Sequence, residues 1–448
     1  MYFIPKYILI LGFTIVVDYV AGILIEQASG KKRKWLLGAS IAANVGVLGF
    51  FKYFNFLNAN LAAFAQLVGW NYPIGFLSIA LPIGLSFHTF QAMSYTIEVY
   101  RGAQQAERNF EIYALYVMFY PQLVAGPIER PQNLLHQFRA HHLFNYERVV
   151  SGLKLMAFGL FKKMVVADRL APLVNRIYAK PGTFAGPSLV LGTLCFGFQI
   201  YNDFSGYSDI AIGAARVMGF DLMLNFNSPY HAQSVAEFWR RWHISLSTWF
   251  RDYVYIPLGG SRVLRVRWGI NILCVFLLSG LWHGASWTYV IWGGLHGAYL
   301  IISALSQKIR SRVSGALGLV RFPRMHLLAR VLVTFALVNI AWIFFRAGSA
   351  GDALGILVRL GTGWSRLRSL AGLRSICIDV RSNPQELALA FAAVLLVELV
   401  GLLAALKPTA IRLSNRPWWQ RWSVYYAAAY SIVFLSAGGN SQFIYFQF

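Results

Sequence analysis

Long apolar runs separated by short cationic clusters set the first limit on what this chain can fold into. Residues 7–25, 35–57, 76–99, 331–345, 386–406 and 424–437 are such runs, and ~20 residues of helix rising 1.5 Å each cross a ~30 Å hydrocarbon core. They are too long and continuous for barrel strands. The expected fold is therefore all-α, a polytopic transmembrane helical bundle whose backbone groups are satisfied within each segment. Composition agrees, with 57% hydrophobic and only 13% charged residues against about 25% charged in soluble domains.

The formal charge of +23 does not point to nucleic acid. Lysine and arginine fall in clusters between apolar runs, as in cytoplasmic loops under the positive-inside rule, and not along one stripe. Lys31, Lys32, Arg33 and Lys34 mark one such loop; Arg262, Arg265 and Arg267 a second; Arg310, Arg312, Arg321, Arg324 and Arg330 a third. Counting runs from these markers places the C-terminus on the far side of the membrane. The opening MYFIPKYILILGF has one lysine and no small-residue cleavage signal, so it reads as a retained membrane helix. Cys195, Cys274 and Cys377 have neither zinc nor disulfide spacing and read as buried apolar residues.

Some segments depart from the simple pattern. Residues 110–134 are apolar but broken by Pro121, Gly126, Pro127 and Pro131, which predicts a kinked or re-entrant segment. His136, His141 and His142 form a polar loop without a second ligand set, so no metal site is expected. Residues 152–177 carry Lys154, Lys162, Lys163, Asp168 and Arg169, too many charges for a lipid-facing helix. They lie either at the interface or against the bundle interior. Asp203 and Asp209, in an apolar stretch from 192 to 219, are costly unless paired.

The densest polar chemistry lies between 237 and 297. If 235–255 is one helix, Phe238, Trp242, Leu246, Trp249 and Tyr253 make an aromatic face and Arg240, His243, Ser247 and Arg251 another. Two readings fit: an interfacial anchor, or a cationic mouth in which arginine grips the phosphate of a phosphopantetheine or coenzyme A. His283 follows an apolar run that starts at the Arg262–Arg267 loop, roughly 24 Å away at helical rise. Either it is a neutral histidine hydrogen-bonded between helices, or it is a general base that accepts a proton from an attacking hydroxyl. His296, between Gly294 and Gly297, reads as a packing residue.

EFWRRWHISLSTWFRDYVYIPLGG followed by LWHGASW closely resembles the membrane-bound O-acyltransferase (MBOAT) family, in its bacterial branch of alginate O-acetyltransferases and related cell-surface acyltransferases. FHTFQAMSYTIEVYRG at 87–102, FYPQLVAGPIERP at 119–131, YNDFSGYSDIAIG at 201–213, NFNSPY at 225–230 and NIAWIFFRA at 339–347 extend the likeness over most of the chain. The resemblance implies a single membrane-embedded domain over 1–448, with interfacial and re-entrant helices around a central tunnel and a core at about 200–300. It implies an enzyme that moves an acyl group, here acetyl, from a cytoplasmic thioester toward a cell-surface polysaccharide. Acetyl-CoA or an acyl carrier would serve as donor substrate, with no permanently bound cofactor. An exported or periplasmic acetyltransferase is the implied partner, and the bacterial inner membrane the implied location. His283 matches the family's Trp-His-Gly histidine and is the implied catalytic residue. His243 matches the histidine of RRWHISLS, which lines or supports the same tunnel. Arg240, Arg251 and Trp282 are the donor-binding candidates.

The terminal FIYFQF, residues 443–448, fits an F-x-Y-x-x-F pattern found at the end of a small partner protein in the related D-alanyl transfer system. By resemblance Tyr445 carries the acyl group as a covalent relay on the outer side; an aromatic girdle at the interface explains the same residues. Relatives begin with one or two further hydrophobic helices, which leaves the helix count open. Two alternatives stand beside acetyl transfer: D-alanyl transfer from a carrier protein, and a transporter or flippase in which Asp203, Asp209 and His283 relay protons.

Overall fold

The computed structural model describes residues 7–78, 82, 84–318, 321–379, 384–406, 416–437 and 443–444, with no side-chain account of 404–406. Among the described residues every regular element is helical and no strand occurs. Six helices among the described residues are long and apolar enough to cross a membrane, and the protein is a multi-pass membrane protein. The chain divides into two compact units, Met1–Lys154 with Ala211–Met223, and Leu155–Ile210 with Leu224–Phe448.

In the first unit, α1 (Tyr7–Gln27), the 38-residue α2 (Gly30–Leu67) and α3 (Leu85–Arg101) pack together, and α4 (Phe110–Met118) lies against α1 and α3. The buried Asp18 of α1 accepts hydrogen bonds from Ser40 (2.6 Å) and Asn44 (2.8 and 2.9 Å) of α2. In lipid no hydrophobic force drives two apolar helices together, so such bonds and close packing must hold them. The expected span at 76–99 takes a different form. Residues 70–78 are not helical, and α3 begins only after Gly84, whose φ of +80° suits glycine. Along α3, His88, Thr89, Gln91, Ser94, Thr96 and Glu98 are buried, so this helix is surrounded by protein. The broken segment at 110–134 matches expectation: α4 stops at Met118, a turn carries Pro121 to Pro127, and a short helix follows at Pro131–Leu134.

The second unit holds α6 (Gly186–Met218) up to Ile210, and the remaining spans. It begins within α5 (Tyr146–Leu160), which runs on through π-helical turns at Phe161–Ala167 and crosses α6 at a glycine pair. A Cβ on Gly159 would sit 2.5 Å from the carbonyl oxygen of Gly206, and one on Gly206 2.7 Å from that of Gly159. Backbones this close bring Lys162 to Asp209 (2.7 Å) and Lys163 to Asp203 (2.6 Å). Lys162, Lys163 and Asp168 therefore face the interior, and both aspartates of YNDFSGYSD are paired.

Candidate functional site

The site is built within the second unit from a broken helix and a tight helix pair. The expected single helix at 235–255 is two helices, α7 (Val235–Arg241) and α8 (Ile244–Phe250), followed by π-helical turns to Tyr255. The break falls at Trp242 and His243, where His243 adopts φ 44° and ψ 54°. A left-handed conformation costs a residue with a Cβ about 1–2 kcal/mol, so tertiary contacts must hold it. Asn225 supplies them: its carbonyl accepts from Ile244 N (2.9 Å), and its side-chain Oδ1 from Ser245 N (3.3 Å) and Ser245 Oγ (2.9 Å).

The same Asn225 Oδ1 lies 3.1 Å from His243 Nδ1. The backbone N–H of Ser245 can only donate, so the atom that it meets must be the amide oxygen; this makes Oδ1 the acceptor and leaves Nδ2 to donate to Ser208 Oγ at 3.2 Å. His243 Nδ1 is then the protonated nitrogen, and Nε2 is the basic one. The residue is fully buried, and burial pushes its pKa down to about 3. It is a neutral imidazole of defined tautomer.

The break also redistributes the two faces drawn on a continuous helix. Phe238, Trp242, Leu246 and Trp249 are buried in protein and do not form an interfacial anchor. Arg240 and Arg251 are exposed, Arg251 pairing with Asp252 at 2.7 Å, while His243 points into the core. The basic stripe is thus dispersed, because the left-handed turn at His243 rotates one half of it away from the other.

His283 ends α9 (Arg265–His283), which packs on α10 (Trp287–Leu305). A Cβ on Gly280 would lie 2.2 Å from the carbonyl oxygen of Tyr289, and one on Gly293 2.1 Å from that of Phe276. The two backbones touch, as small residues permit in membranes, and hold His283 at the foot of α10. The residue is 5% exposed, and its ring is caged by Trp282 (4.9 Å between centroids), Trp292 (5.0 Å) and Phe345 (5.4 Å). Phe345 comes from α11 (Pro323–Arg346). Trp282 also meets His243, at 6.1 Å, so one indole touches both candidate imidazoles.

His296 is buried beneath them and accepts a hydrogen bond from Trp239 Nε1 at 3.2 Å, in keeping with a packing role. Near the basic loop, Ser261, Arg262, Val263, Leu264 and Arg267 line a shallow, open surface recess. Tyr445 lies outside the described residues. Of the sequence-derived candidates, the structure brings together His283, Trp282 and His243 and leaves Arg240 and Arg251 at the surface. Asn225 went unnoticed in the sequence: NFNSPY contains it, but nothing in its spacing ties residue 225 to 243. No group of three or more His, Cys, Asp or Glu with metal-binding geometry occurs among the described residues.

The family model described as MBOAT, membrane-bound O-acyltransferase family, matches residues 107–342. The chain is 41% identical over 348 residues to a probable alginate O-acetylase, AlgI, of Pseudomonas aeruginosa, covering 76% of this chain and 63% of that one. It is 37% identical over 380 residues to a peptidoglycan O-acetyltransferase of Helicobacter pylori, covering 79% and 69%. It is 30% identical over 237 residues to a teichoic acid D-alanyltransferase of Streptococcus thermophilus, covering 49% and 56%. The chain spans just under two thirds of the length of the alginate O-acetylase relatives.

Proposed function

Since the chain belongs to the membrane-bound O-acyltransferase family, we propose that it moves an acetyl group from a cytoplasmic thioester toward a hydroxyl of a cell-surface or secreted polysaccharide. The observation that carries this reading is the pair of buried histidines joined by Trp282. A hydroxyl oxygen attacks the thioester carbonyl carbon; His283 accepts the hydroxyl proton as the C–O bond forms. The C–S bond then breaks, and the imidazolium returns the proton to the leaving thiolate. His243, neutral and fixed in tautomer, supports the same passage with Nε2 as its basic nitrogen. The indole N–H of Trp292 is buried and makes no hydrogen bond among the described residues; it is our candidate donor to the developing oxyanion.

Acetyl-CoA, or an acyl-carrier thioester, is the proposed donor. Its phosphates suit the recess at Arg262 and Arg267, since arginine binds phosphate in a fork. Tyr445 is the proposed relay: its hydroxyl takes the acyl group first, and an exported acetyltransferase passes it to the polymer. The bacterial inner membrane is the proposed location. Both aspartates that a proton relay would use are paired with lysines, which favours acyl transfer over the transporter reading.

Protein reconstituted in liposomes and given labelled acetyl-CoA on one face should release free CoA and label an acceptor or the chain itself. Solute movement without thioester cleavage would overturn the assignment. Faster turnover with a D-alanyl carrier than with acetyl-CoA would replace the donor while keeping the reaction class.

A further inference from the structure

The end of the described chain is held from inside the second unit. Ile444 N–H donates to Asp203 Oδ2 at 2.6 Å, and Ile444 is only 2% exposed. The preceding Phe443 packs on the rings of Tyr207 (4.9 Å) and Phe204 (6.2 Å). Upstream, Ala437 N donates to the carbonyl of Met164 at 3.2 Å, and the guanidinium of Arg169 donates to the carbonyl of Leu435.

The anchor is a built one. Asp203 Oδ1 is paired with Lys163 (2.6 Å), and Lys163 also reaches Asp168 (2.8 Å), so the carboxylate is fixed and partly neutralised before it meets the amide. A buried carboxylate needs such partners, and hydrogen bonds to charged groups are the stronger kind. The anchor also adjoins the candidate site. Phe204, one residue from Asp203, stands edge-on to His243 at 4.6 Å and touches Phe443 from the same ring.

We propose that Asp203 is a positioning residue that clamps the backbone of Ile444 and so seats the C-terminal segment beside the aromatic shell of His243. A relay carried by the final residues needs a fixed starting point, because a reacting group must be held close to its attack geometry. This inference rests on the relay reading for its purpose, though the clamp itself is testable without it.

The full-length protein in detergent is digested with a carboxypeptidase, and removal of Ile444 and Phe443 is followed by mass spectrometry. Asp203→Leu leaves Lys163 paired with Asp168 but removes the acceptor; release should quicken by about tenfold or more, the size expected for a lost charge-assisted hydrogen bond. Asp203→Asn loses the charge and keeps one oxygen, for which Lys163 and the Ile444 N–H compete, so its release should fall between the wild type and the Leu variant. Should Asp203→Leu fail to fold, Asp203→Ser, which ends short of Ile444, gives the same reading. Polymer acetylation should follow the same order, lost in Leu or Ser and intermediate in Asn. Release at the wild-type rate in a folded Leu or Ser variant would overturn the clamp. Full acetylation by Tyr445→Phe with the digestion pattern intact would remove the relay and leave the clamp standing.

Discussion

Asn225 Oδ1 lies 3.1 Å from His243 Nδ1 and accepts both donors of Ser245, so one amide sets the tautomer of a buried imidazole and caps the left-handed turn that carries it. Asn225→Ala removes both services at once. Thermal unfolding in detergent should show a loss of about 1–3 kcal/mol, the cost of leaving buried donors unsatisfied. Acyl transfer should fall by more than that loss explains, and transfer unchanged in the folded variant would contradict a role for the tautomer.

The depressed pKa of His243 makes a signed prediction. Its folded pKa, about 3, lies below the ordinary 6.5, so below pH 6.5 the unfolded chain binds a proton that the folded chain refuses. The stability from the neutral ring is complete above about pH 6.5 and is lost as pH falls toward 3. Glu129, a buried turn residue whose pKa burial raises to about 7 from 4.5, acts in the opposite sense, with stability declining as pH rises between those values. Melting temperatures of wild type and His243→Gln between pH 7.5 and 4 separate the two. The substitution should flatten the acid slope, and an unaltered slope would show that His243 is not buried neutral.

Gly280 and Gly293 are where α9 and α10 touch. Gly280→Ala places a methyl on the Tyr289 carbonyl and should cost about 1–3 kcal/mol or more, with activity lost as His283 shifts. Gly294→Ala, whose Cβ would meet Leu277 at an ordinary 3.6 Å, should be neutral or slightly stabilising. Equal melting temperatures for the two variants would contradict the tight crossing.

Lys162 is buried and lies 2.7 Å from the carboxylate of Asp209, whose side chain is 14% exposed. Removing either partner alone should cost about 3–5 kcal/mol, because the other charge is stranded. The Lys162→Met, Asp209→Leu double variant should recover much of that loss. Additive losses in the double-variant cycle would mean that the pair is not coupled.

Much of this architecture was legible in the sequence because membrane helices need only length and apolarity. The runs at 7–25, 331–345 and 386–406 correspond to α1, α11 and Pro384–Leu406. The same criterion misjudged 76–99, since apolar side chains there flank buried polar ones and Gly84 starts the helix late. Periodicity drew one helix through 235–255 because nothing local announces the break; the turn at His243 is enforced by Asn225, 18 residues earlier. Likewise the need to pair Asp203 and Asp209 was readable, but their partners were not, because Lys163 and Lys162 meet them only through the Gly159–Gly206 crossing. The His283 candidate was readable because an ionisable residue deep in an apolar run is rare. Its shared contact with His243 through Trp282 belongs to tertiary structure alone.

The most direct test of the account is single-turnover thioester cleavage by the reconstituted protein with labelled acetyl-CoA, comparing wild type with His283→Ala and His283→Gln. Loss of a general base should slow the acyl-transfer step by about a hundredfold or more, with folding and donor binding preserved. Cleavage at the wild-type rate in folded His283→Ala would contradict the assignment.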